Sequence, residues 1–314
     1  MLLERIARKL RVTLLPPPSR LETKLIGELR DSIRALPPLS PAASETSSEG
    51  LWTRHRINLR QQILKDDPRR FLNWAVIKNT MFFTNTPFIT PAFDSLRANS
   101  QWESRWKNAL LESKVGLPLK FEAYPESSGN LVHHAYHLSQ FEAHSGKAIE
   151  ELKTIVEFGG GYGSTCRLAH RLGFKGRYFI FDLPEFSALQ RFYLRLNGIA
   201  APDESQRAQD ERSGVVCLSS LDELASLLKA QAIDLFIANW SLSETPLEVR
   251  EQFLPLVCGA RSFLIGYQDQ FGEVDNRRFF ADWKIGQPGV SWTDVRIAHL
   301  PANNYLIGAR ANHS

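Results

Sequence analysis

Four glycines after a short apolar run form the pattern with the clearest chemical meaning in this sequence. The run Ile155-Val-Glu-Phe158 leads directly into Gly159, Gly160, Gly161 and Gly163. Glycine lets the backbone turn tightly and approach a ligand closely, and a helix that begins after the turn presents unpaired N–H groups. The pattern therefore predicts a ligand-binding turn between a strand and a helix.

The spacing of these glycines and a neighbouring acid separate two classes of ligand. The pyrophosphate of NAD or FAD uses the spacing G-x-G-x-x-G, whereas Gly159, Gly161 and Gly163 are spaced G-x-G-x-G. Glu157 precedes the first glycine, and a carboxylate there attracts the sulfonium and ammonium groups of S-adenosylmethionine (SAM). The loop therefore favours SAM over NAD. The alternative is a turn that only packs the helix on the strand.

A second acid, Asp182, ends the next predicted strand. At that place a carboxylate can accept both hydrogen bonds from a ribose diol. An acid, a glycine loop and a second acid at successive strand ends therefore predict a site for a nucleoside ligand.

The elements that position these residues are predicted from alternating patterns after residue 150. Short β-branched or aromatic runs alternate with helical patterns, which predicts βαβ units and a parallel sheet with helices on both faces. The predicted strands are 154–158, 177–182, 215–219, 233–239 and 262–267. Runs at 293–298 and 305–309 have no helix between them. They therefore predict an antiparallel hairpin at one edge.

Helix starts are marked by capping residues and prolines. Pro184 lies early in one helix of the α/β region, Ser220-Leu-Asp-Glu223 caps the next, and Thr245-Pro-Leu-Glu248 reads as a capping box with a proline start. Near the beginning of the chain, a basic amphipathic helix over 2–15 is followed by a capping box at Ser19-Arg-Leu-Glu22.

Residues 37–50 are rich in Pro and Ser and read as a linker. Beyond it, Asp67-Pro68 predicts a helix through about Asn79. Ser100-Gln-Trp-Glu103 predicts a capped helix that ends near Gly116, and a further helix is expected from Asn130 to about His144. The region 51–150 is therefore expected to be helical.

Composition and charge exclude several classes of protein. The 314 residues are 43% hydrophobic and 23% charged, which permits a sizeable core. Residues 1–150 hold 21 basic and 15 acidic side chains, whereas residues 151–314 hold 17 and 19. No stripe of Lys and Arg is present, so we expect no nucleic-acid partner. We interpret the basic half as favouring anionic glycans or lipid carriers.

The cysteines also limit the environment of the chain. Cys166, Cys217 and Cys258 are far apart, which argues against a disulfide framework or a zinc cluster and predicts three buried thiols. No apolar run reaches the ~18 residues of a membrane span, and charges interrupt the first apolar residues, unlike a signal peptide. We expect a cytoplasmic protein.

Two of these motifs carry a resemblance to a known family. Glu157-Phe-Gly-Gly-Gly-Tyr-Gly163 followed by Phe181-Asp-Leu-Pro-Glu185 resembles the class I SAM-dependent methyltransferases, and more narrowly the bacterial sugar O-methyltransferases. Asn239-Trp-Ser-Leu-Ser-Glu244, Asn130-Leu-Val-His-His-Ala-Tyr-His-Leu138 and Tyr267-Gln268 also fit, over roughly residues 50–314. The resemblance implies a Rossmann-like, seven-stranded, mostly parallel sheet with a C-terminal antiparallel hairpin. It also implies methylation of a sugar hydroxyl, as in polysaccharide biosynthesis.

The resemblance implies which residues bind SAM. Glu157 would orient the methionine end, the glycines would approach it and Asp182 would hold the ribose. The full set is Glu157, Gly159, Gly160, Gly161, Gly163, Asp182, Leu183, Ser219, Ser220, Asn239 and Trp240. Many class I enzymes end the third strand with an acid that binds adenine, but here Ser219-Ser220-Leu221 stands there. This difference leaves the adenine contact open.

A sugar hydroxyl needs a general base before it can accept a methyl group. The candidates are His133, His134, Glu244 and His299, with Asp269 a weaker one. For the first two, a helix surface together with one core histidine is the structural alternative. His133 and His137 are spaced i, i+4, but no third metal ligand is evident, so we expect no metal.

We divide the chain into three regions. Residues 1–50 hold helices and a linker, 51–150 cover the site and select the acceptor, and 151–314 bind SAM. The expected partner is a glycan or a small molecule that contains a sugar. The basic first helix has two alternative roles, peripheral contact with anionic lipid or packing on its own domain or a second subunit. The alternative functions are an NAD(P)-dependent oxidoreductase and a non-catalytic assembly partner.

Overall fold

Seven strands form one mixed sheet in the computed structural model, which describes residues 15–39, 48–81, 87–203, 214–229 and 231–311. The strands are β1 Thr154–Phe158, β2 Arg177–Phe181, β3 Val215–Leu218, β4 Leu235–Asn239, β5 Ser262–Gln268, β8 Val290–Arg296 and β9 Asn303–Arg310. Their order across the sheet is β3-β2-β1-β4-β5-β9-β8. A separate two-stranded ribbon is formed by β6 Gln270–Phe271 and β7 Val274–Asp275.

Helices lie before and between these strands. They are α1 Arg20–Ala35, α2 Ser48–Lys65, α3 Ala75–Thr80, α4 Ile89–Ala98, α5 Gly129–Ser145, α6 Ser164–Arg171, α7 Pro184–Leu196, α8 Leu221–Leu228, α9 Leu247–Val257 and α10 Asn276–Ile285. The N-terminal helical region and the sheet share one continuous hydrophobic core.

The predicted fold class is confirmed. β1 to β5 run parallel, and β9 runs antiparallel to both β5 and β8. This is a Rossmann-like, mostly parallel sheet with the C-terminal antiparallel hairpin at one edge. The order changes direction at β1, so the loops after β1 and β4 lie side by side at the carboxyl ends of the strands.

Burial explains why the central strands were easy to recognise. Every residue of β1 is buried, as expected for a strand covered on both faces. Its predicted bounds are confirmed, whereas β2 and β3 each end one residue before their predicted ends. β8 begins at Val290 rather than at residue 293, because half-exposed residues continue its pairing with β9.

The start of the chain matches the sequence patterns only in part. The capping box of Ser19 and Glu22 is confirmed, and α1 buries Leu25, Leu29 and Ile33. The predicted linker is too long, because α2 already begins at Ser48. The predicted basic helix over 2–15 lies almost entirely outside the described residues. No helix in the described part of the chain is long and apolar enough to span a membrane.

The two predicted helices between 67 and 116 differ from the structure. Asp67 caps a 3₁₀ turn at Pro68–Asn73, and Trp74 adopts an extended backbone conformation before α3. The capping box predicted at Ser100 is wrong: the Asn99 side chain accepts from the Gln101 N–H, and a π-helical turn follows over Trp102–Trp106. The helical segment ends at Ala109, well before Gly116.

Of the remaining local predictions, some are confirmed and others are wrong. The helix predicted from 130 to 144 is confirmed as α5, and the Ser220 hydroxyl accepts from the Glu223 N–H to cap α8. The capping box at Thr245 is wrong, because its hydroxyl donates to the Leu242 carbonyl and α9 begins without a side-chain cap. Cys258 is exposed, so only Cys166 and Cys217 are buried thiols.

A buried ion-pair cluster joins the helical region to the α/β region. Glu185, in the first turn of α7, is fully buried and accepts from Arg56 Nε at 2.8 Å and Arg60 Nε at 2.6 Å. Both arginines lie on α2. This cluster fixes α2 beside the loop that follows β2.

We predict that Glu185→Gln lowers the free energy of unfolding by about 3 kcal/mol, because it leaves two arginines facing a buried neutral amide. Urea denaturation measures the change. Asp282→Asn is the control, since Asp282 lies 3.8 Å from Arg278 in an exposed pair and should cost less than about 0.5 kcal/mol. Equal losses in the two variants would contradict a structural role for Glu185.

Candidate active site

A cavity of about 840 Å³ opens at the carboxyl ends of the parallel strands. Its floor is formed by the loops after β1, β2 and β4, and its walls by α2, α5 and the first turns of α7 and α9. Open α/β sheets bind ligands at this end, beside the point where the strand order changes direction. Most of the predicted site residues line this cavity.

Two glycines of the loop, Gly159 and Gly160, pack too closely on their neighbours to accept side chains. A Cβ added to Gly159 would lie 2.2 Å from Ser241 Cβ, and one added to Gly160 would lie 2.5 Å from Ile180 Cγ2. Gly159 also has φ of +69°, a conformation that other residues adopt at a cost. The loop therefore leaves its backbone open toward the cavity. Gly163 acts at the N-cap of α6 and is not on the cavity wall.

Glu157 is a buried carboxyl group directly below the glycine loop. Its side chain accepts from the Tyr178 hydroxyl at 2.9 Å. Burial raises the pKa of Glu157 to about 7, against the opposing effect of hydrogen bonds from Tyr178 and Thr165. A cation brought into contact with this carboxyl would restore its charged form.

Asp182 is connected to the glycine loop by its own side chain. Oδ2 accepts from the Gly161 N–H at 3.0 Å and from Gln190 Nε2 at 2.9 Å, and Oδ1 accepts from the Leu183 N–H at 2.7 Å. Burial raises the pKa of Asp182 to about 7, although the two backbone hydrogen bonds lower it. The carboxyl group is therefore held in one orientation on the cavity wall.

Trp240 follows β4 in a strained conformation. Its φ is +61°, which is unusual for a bulky residue and marks a place where the surroundings impose the backbone. The Trp240 N–H donates to the Gly266 carbonyl at 2.7 Å, and indole Nε1 donates to Asn303 Oδ1 at 2.6 Å. A Cβ on Gly266 would lie 2.9 Å from the indole ring, so the ring position depends on that glycine.

Three histidines of α5 form one wall of the cavity. The rings of His133 and His137 lie 5.5 and 5.1 Å from the ring of Trp240, centroid to centroid. His137 Nδ1 is hydrogen bonded to the Tyr305 hydroxyl. Burial lowers the pKa of His134 to about 4 and holds the pKa values of His133 and His137 well below the usual range. All three imidazoles are therefore neutral at pH 7.

Two polar residues, one at the end of β4 and one in the turn that follows it, complete the site. Asn239 ends the strand, and both its amide atoms, Oδ1 and Nδ2, are buried without a hydrogen-bond partner. Glu244 ends the 3₁₀ turn that follows, on the cavity wall. Burial raises the pKa of Glu244 to about 7.

Some predicted site residues lie away from this cavity. Ser219 lines it, whereas the Ser220 hydroxyl is used to cap α8. His299 is not on the wall, and its ring packs at 5.1 Å from Tyr136. Asp269 accepts from Asn304 Nδ2 at 2.6 Å, also off the wall. The structure therefore gathers His133, His134 and Glu244, but not His299, around one cavity.

The contribution of α2 was missed from the sequence. Glu49, Trp52, Thr53 and Arg56 reach the cavity from this helix. Trp52 was the only local sign in the sequence that this helix could reach a ligand. The spacing of the arginines that join α2 to Glu185 does not identify that glutamate as their partner until the fold is known. Among the described residues, no group of three or more His, Cys, Asp or Glu side chains is arranged to hold a metal ion.

No protein-family model and no curated protein matches this sequence, but solved structures do. The candidate RNA methyltransferase PH1948 from Pyrococcus horikoshii is 14% identical, with 72% of this chain and 98% of that chain covered and a TM-score of 0.40. The mitomycin 7-O-methyltransferase MmcR is 11% identical over 93% of both chains, with a TM-score of 0.35. A precorrin-6y C5,15-methyltransferase from Geobacter metallireducens is 13% identical over 57% and 88%, with a TM-score of 0.35.

We predict that Gly159→Ala destabilises the protein more than Gly146→Ala. Both glycines have φ near +66° to +69°, but a Cβ on Gly146 has no atom within 4 Å. Gly146→Ala should therefore cost only about 1 kcal/mol for the backbone, whereas Gly159→Ala should cost about 1–3 kcal/mol more for the collision with Ser241.

Urea denaturation of both variants and of Gly159→Ala/Ser241→Gly tests the cause of the difference. Removal of the Ser241 side chain should recover part of the loss. If the double variant is no more stable than the single one, the close contact between the two loops is not what requires glycine.

Proposed function

We propose that the protein is a SAM-dependent O-methyltransferase that acts on a sugar hydroxyl of a glycan or glycan precursor. The observation that carries this proposal is the pair of buried carboxyl groups on either side of a glycine loop in which Gly159 and Gly160 lack room for a Cβ. This arrangement suits a ligand with a cationic end and a ribose, bound against bare backbone.

The residues present fit SAM at each of its parts. Glu157 lies where the ammonium and sulfonium groups would restore its charge. Asp182 is held for a ribose by Gly161 and Leu183. Leu183 and Ser219 line the adjoining wall where adenine would follow. The N-terminal helical region covers the opposite side through α2 and α5, and selects the acceptor.

The two alternative functions fit the site less well. The pyrophosphate of NAD(P) would meet the carboxyl group of Glu157 beside the glycine loop, and like charges repel; the glycine spacing also differs from G-x-G-x-x-G. A non-catalytic assembly partner would not need a cavity of about 840 Å³ with desolvated acids on its wall. We therefore favour the transferase over both.

The chain must position a hydroxyl and accept its proton. SAM, when bound, supplies a methyl group already activated by the sulfonium, so alignment contributes most of the catalysis. A base of this chain would accept the proton of the acceptor hydroxyl as its oxygen takes the methyl group, which would leave S-adenosylhomocysteine. Glu244 is the best matched base, since its pKa of about 7 lies near working pH. His134, with a pKa of about 4, is a weaker acceptor of protons.

The affinity of the cofactor gives a direct test of the proposal. In calorimetry, SAM and S-adenosylhomocysteine should bind and NADH should not. Asp182→Ala should weaken SAM binding by about 10-fold or more, because a charge-assisted pair of hydrogen bonds to the ribose is lost. Asp294→Ala is the control, since Asp294 is exposed on β8. Binding of NADH without binding of SAM would disprove the proposed function.

The pH dependence of kcat tests the base. At saturating SAM and acceptor, kcat should rise with pH through about 7, because Glu244 accepts a proton only as the carboxylate. Glu244→Gln should remove this rise and lower kcat by about 100-fold or more. A histidine base with the lowered pKa of His134 would instead give a constant rate above about pH 5. A rise that survives in Glu244→Gln would exclude Glu244 as the base.

A further inference from the structure

On the function proposed above, the charges of the cavity wall limit which groups the acceptor can carry. Besides Glu157 and Asp182, the wall holds the carboxyl groups of Glu49, Glu244 and Glu248. Among the described wall residues, Arg56 is the one Lys or Arg side chain, and its Nε donates to the buried Glu185 at 2.8 Å. The described wall therefore carries several carboxyl groups and no unpaired Lys or Arg side chain.

The histidines do not offset these acids. His133, His134 and His137 all line the cavity, and burial lowers the pKa of each. Neutral imidazoles add no positive charge at pH 7. A phosphate or carboxylate on the acceptor would therefore face carboxyl groups without an unpaired arginine or lysine among the described wall residues, and such contacts between like charges disfavour binding.

Asn239 provides a second and independent observation. Its amide Oδ1 and Nδ2 are both buried and lack partners, and the residue lines the cavity. A buried amide without hydrogen bonds is unfavourable, and a ligand could satisfy it once the side chain turns toward the cavity. The amide can donate to one group and accept from another at the same time. Two neighbouring hydroxyl groups of a sugar offer this combination.

The aromatic residues of the wall favour the same kind of ligand. Trp240 stands next to Asn239, with its indole fixed through Asn303, and Trp52 reaches the cavity from α2. The apolar faces of a sugar ring, with their C–H groups, pack well on aromatic rings. The wall thus combines aromatic surface and an unpaired amide with negative charge.

We propose that the methylated unit of the acceptor is an uncharged sugar, without phosphate, sulfate or carboxylate, and that Asn239 binds two of its neighbouring hydroxyls. This revises the expectation, based on the charge of residues 1–150, that anionic glycans or lipid carriers are favoured. The excess of basic residues in that half of the chain does not reach the described cavity wall as unpaired cations.

A set of three probes tests the charge preference: methyl glucoside, methyl glucuronide and glucose 6-phosphate. Their dissociation constants are measured by ligand-observed NMR, with and without S-adenosylhomocysteine. The glucoside should bind at least about 10-fold more tightly than either anion. Equal or tighter binding of an anion, or binding of none of the three, would overturn the proposal.

A pair of charge-reversal variants tests whether the carboxyl groups of the wall cause the weaker binding of anions. Glu248→Lys changes a wall residue, whereas Glu251→Lys makes the same change on the same helix at an exposed position off the wall. Only the first should improve binding of the glucuronide relative to the glucoside, by about threefold or more. The same improvement in both variants would show a general effect of net charge and would contradict the proposal.

Asn239→Ala tests the amide. The resemblance placed Asn239 among the SAM-binding residues, and the proposal reassigns it to the acceptor. The variant should therefore weaken binding of the glucoside by about 10-fold and leave the dissociation constant of SAM within about twofold. Loss of SAM affinity instead would assign Asn239 to the cofactor and overturn its proposed role. Because sugar binding is also measured without cofactor, failure of the wild type to bind SAM would contradict the proposed function alone.

Discussion

The loops after β1 and β4 lie so close together that Gly159 has no room for a side chain. The arrangement of the site depends on that contact. Gly159 after β1 lies against Ser241 after β4, and the Ser241 hydroxyl donates to the Phe158 carbonyl. Ser241 reaches this place because Trp240 adopts a left-handed backbone conformation. The same turn directs the indole toward His133 and His137. One close contact therefore sets both the bare glycine backbone and the aromatic wall opposite it.

The carboxyl groups of the site are buried, and a cation bound beside them would favour their charged form. Glu157, Asp182 and Glu244 each have a pKa raised to about 7 by burial. Desolvation of three carboxyl groups opposes folding unless hydrogen bonds offset it, and Glu157 and Asp182 receive such bonds from Tyr178 and from backbone N–H groups. Burial of these carboxyl groups therefore lowers the stability of the fold, and the cavity wall gains favourable interactions when a positively charged ligand binds.

The features predicted most accurately from the sequence are those that local chemistry determines. The bounds of β1, the glycine turn and the hairpin of β8 and β9 follow from periodicity and from residues that few conformations tolerate. The π-helical turn at Trp102–Trp106 and the break at Trp74 were missed, because packing rather than capping decides them. The role of α2 could not be predicted either: Arg56 and Arg60 are paired with a glutamate 129 and 125 residues away along the chain.

The net charge of a region is a poor guide to the charge of its binding surface. Residues 1–150 have a clear excess of basic residues, yet Arg56 and Arg60 are bound to Glu185, Arg69 to Asp67, and Arg105 to Glu142 and Glu150. Pairing of this kind anchors helices to one another and removes the cations from ligand recognition. Apart from the paired Arg56, the residues of α2 and α5 that line the cavity are Glu49, Trp52, Thr53 and the three neutral histidines His133, His134 and His137. Binding of an acceptor at this wall would therefore depend on hydrogen bonding and ring packing rather than on attraction to basic side chains.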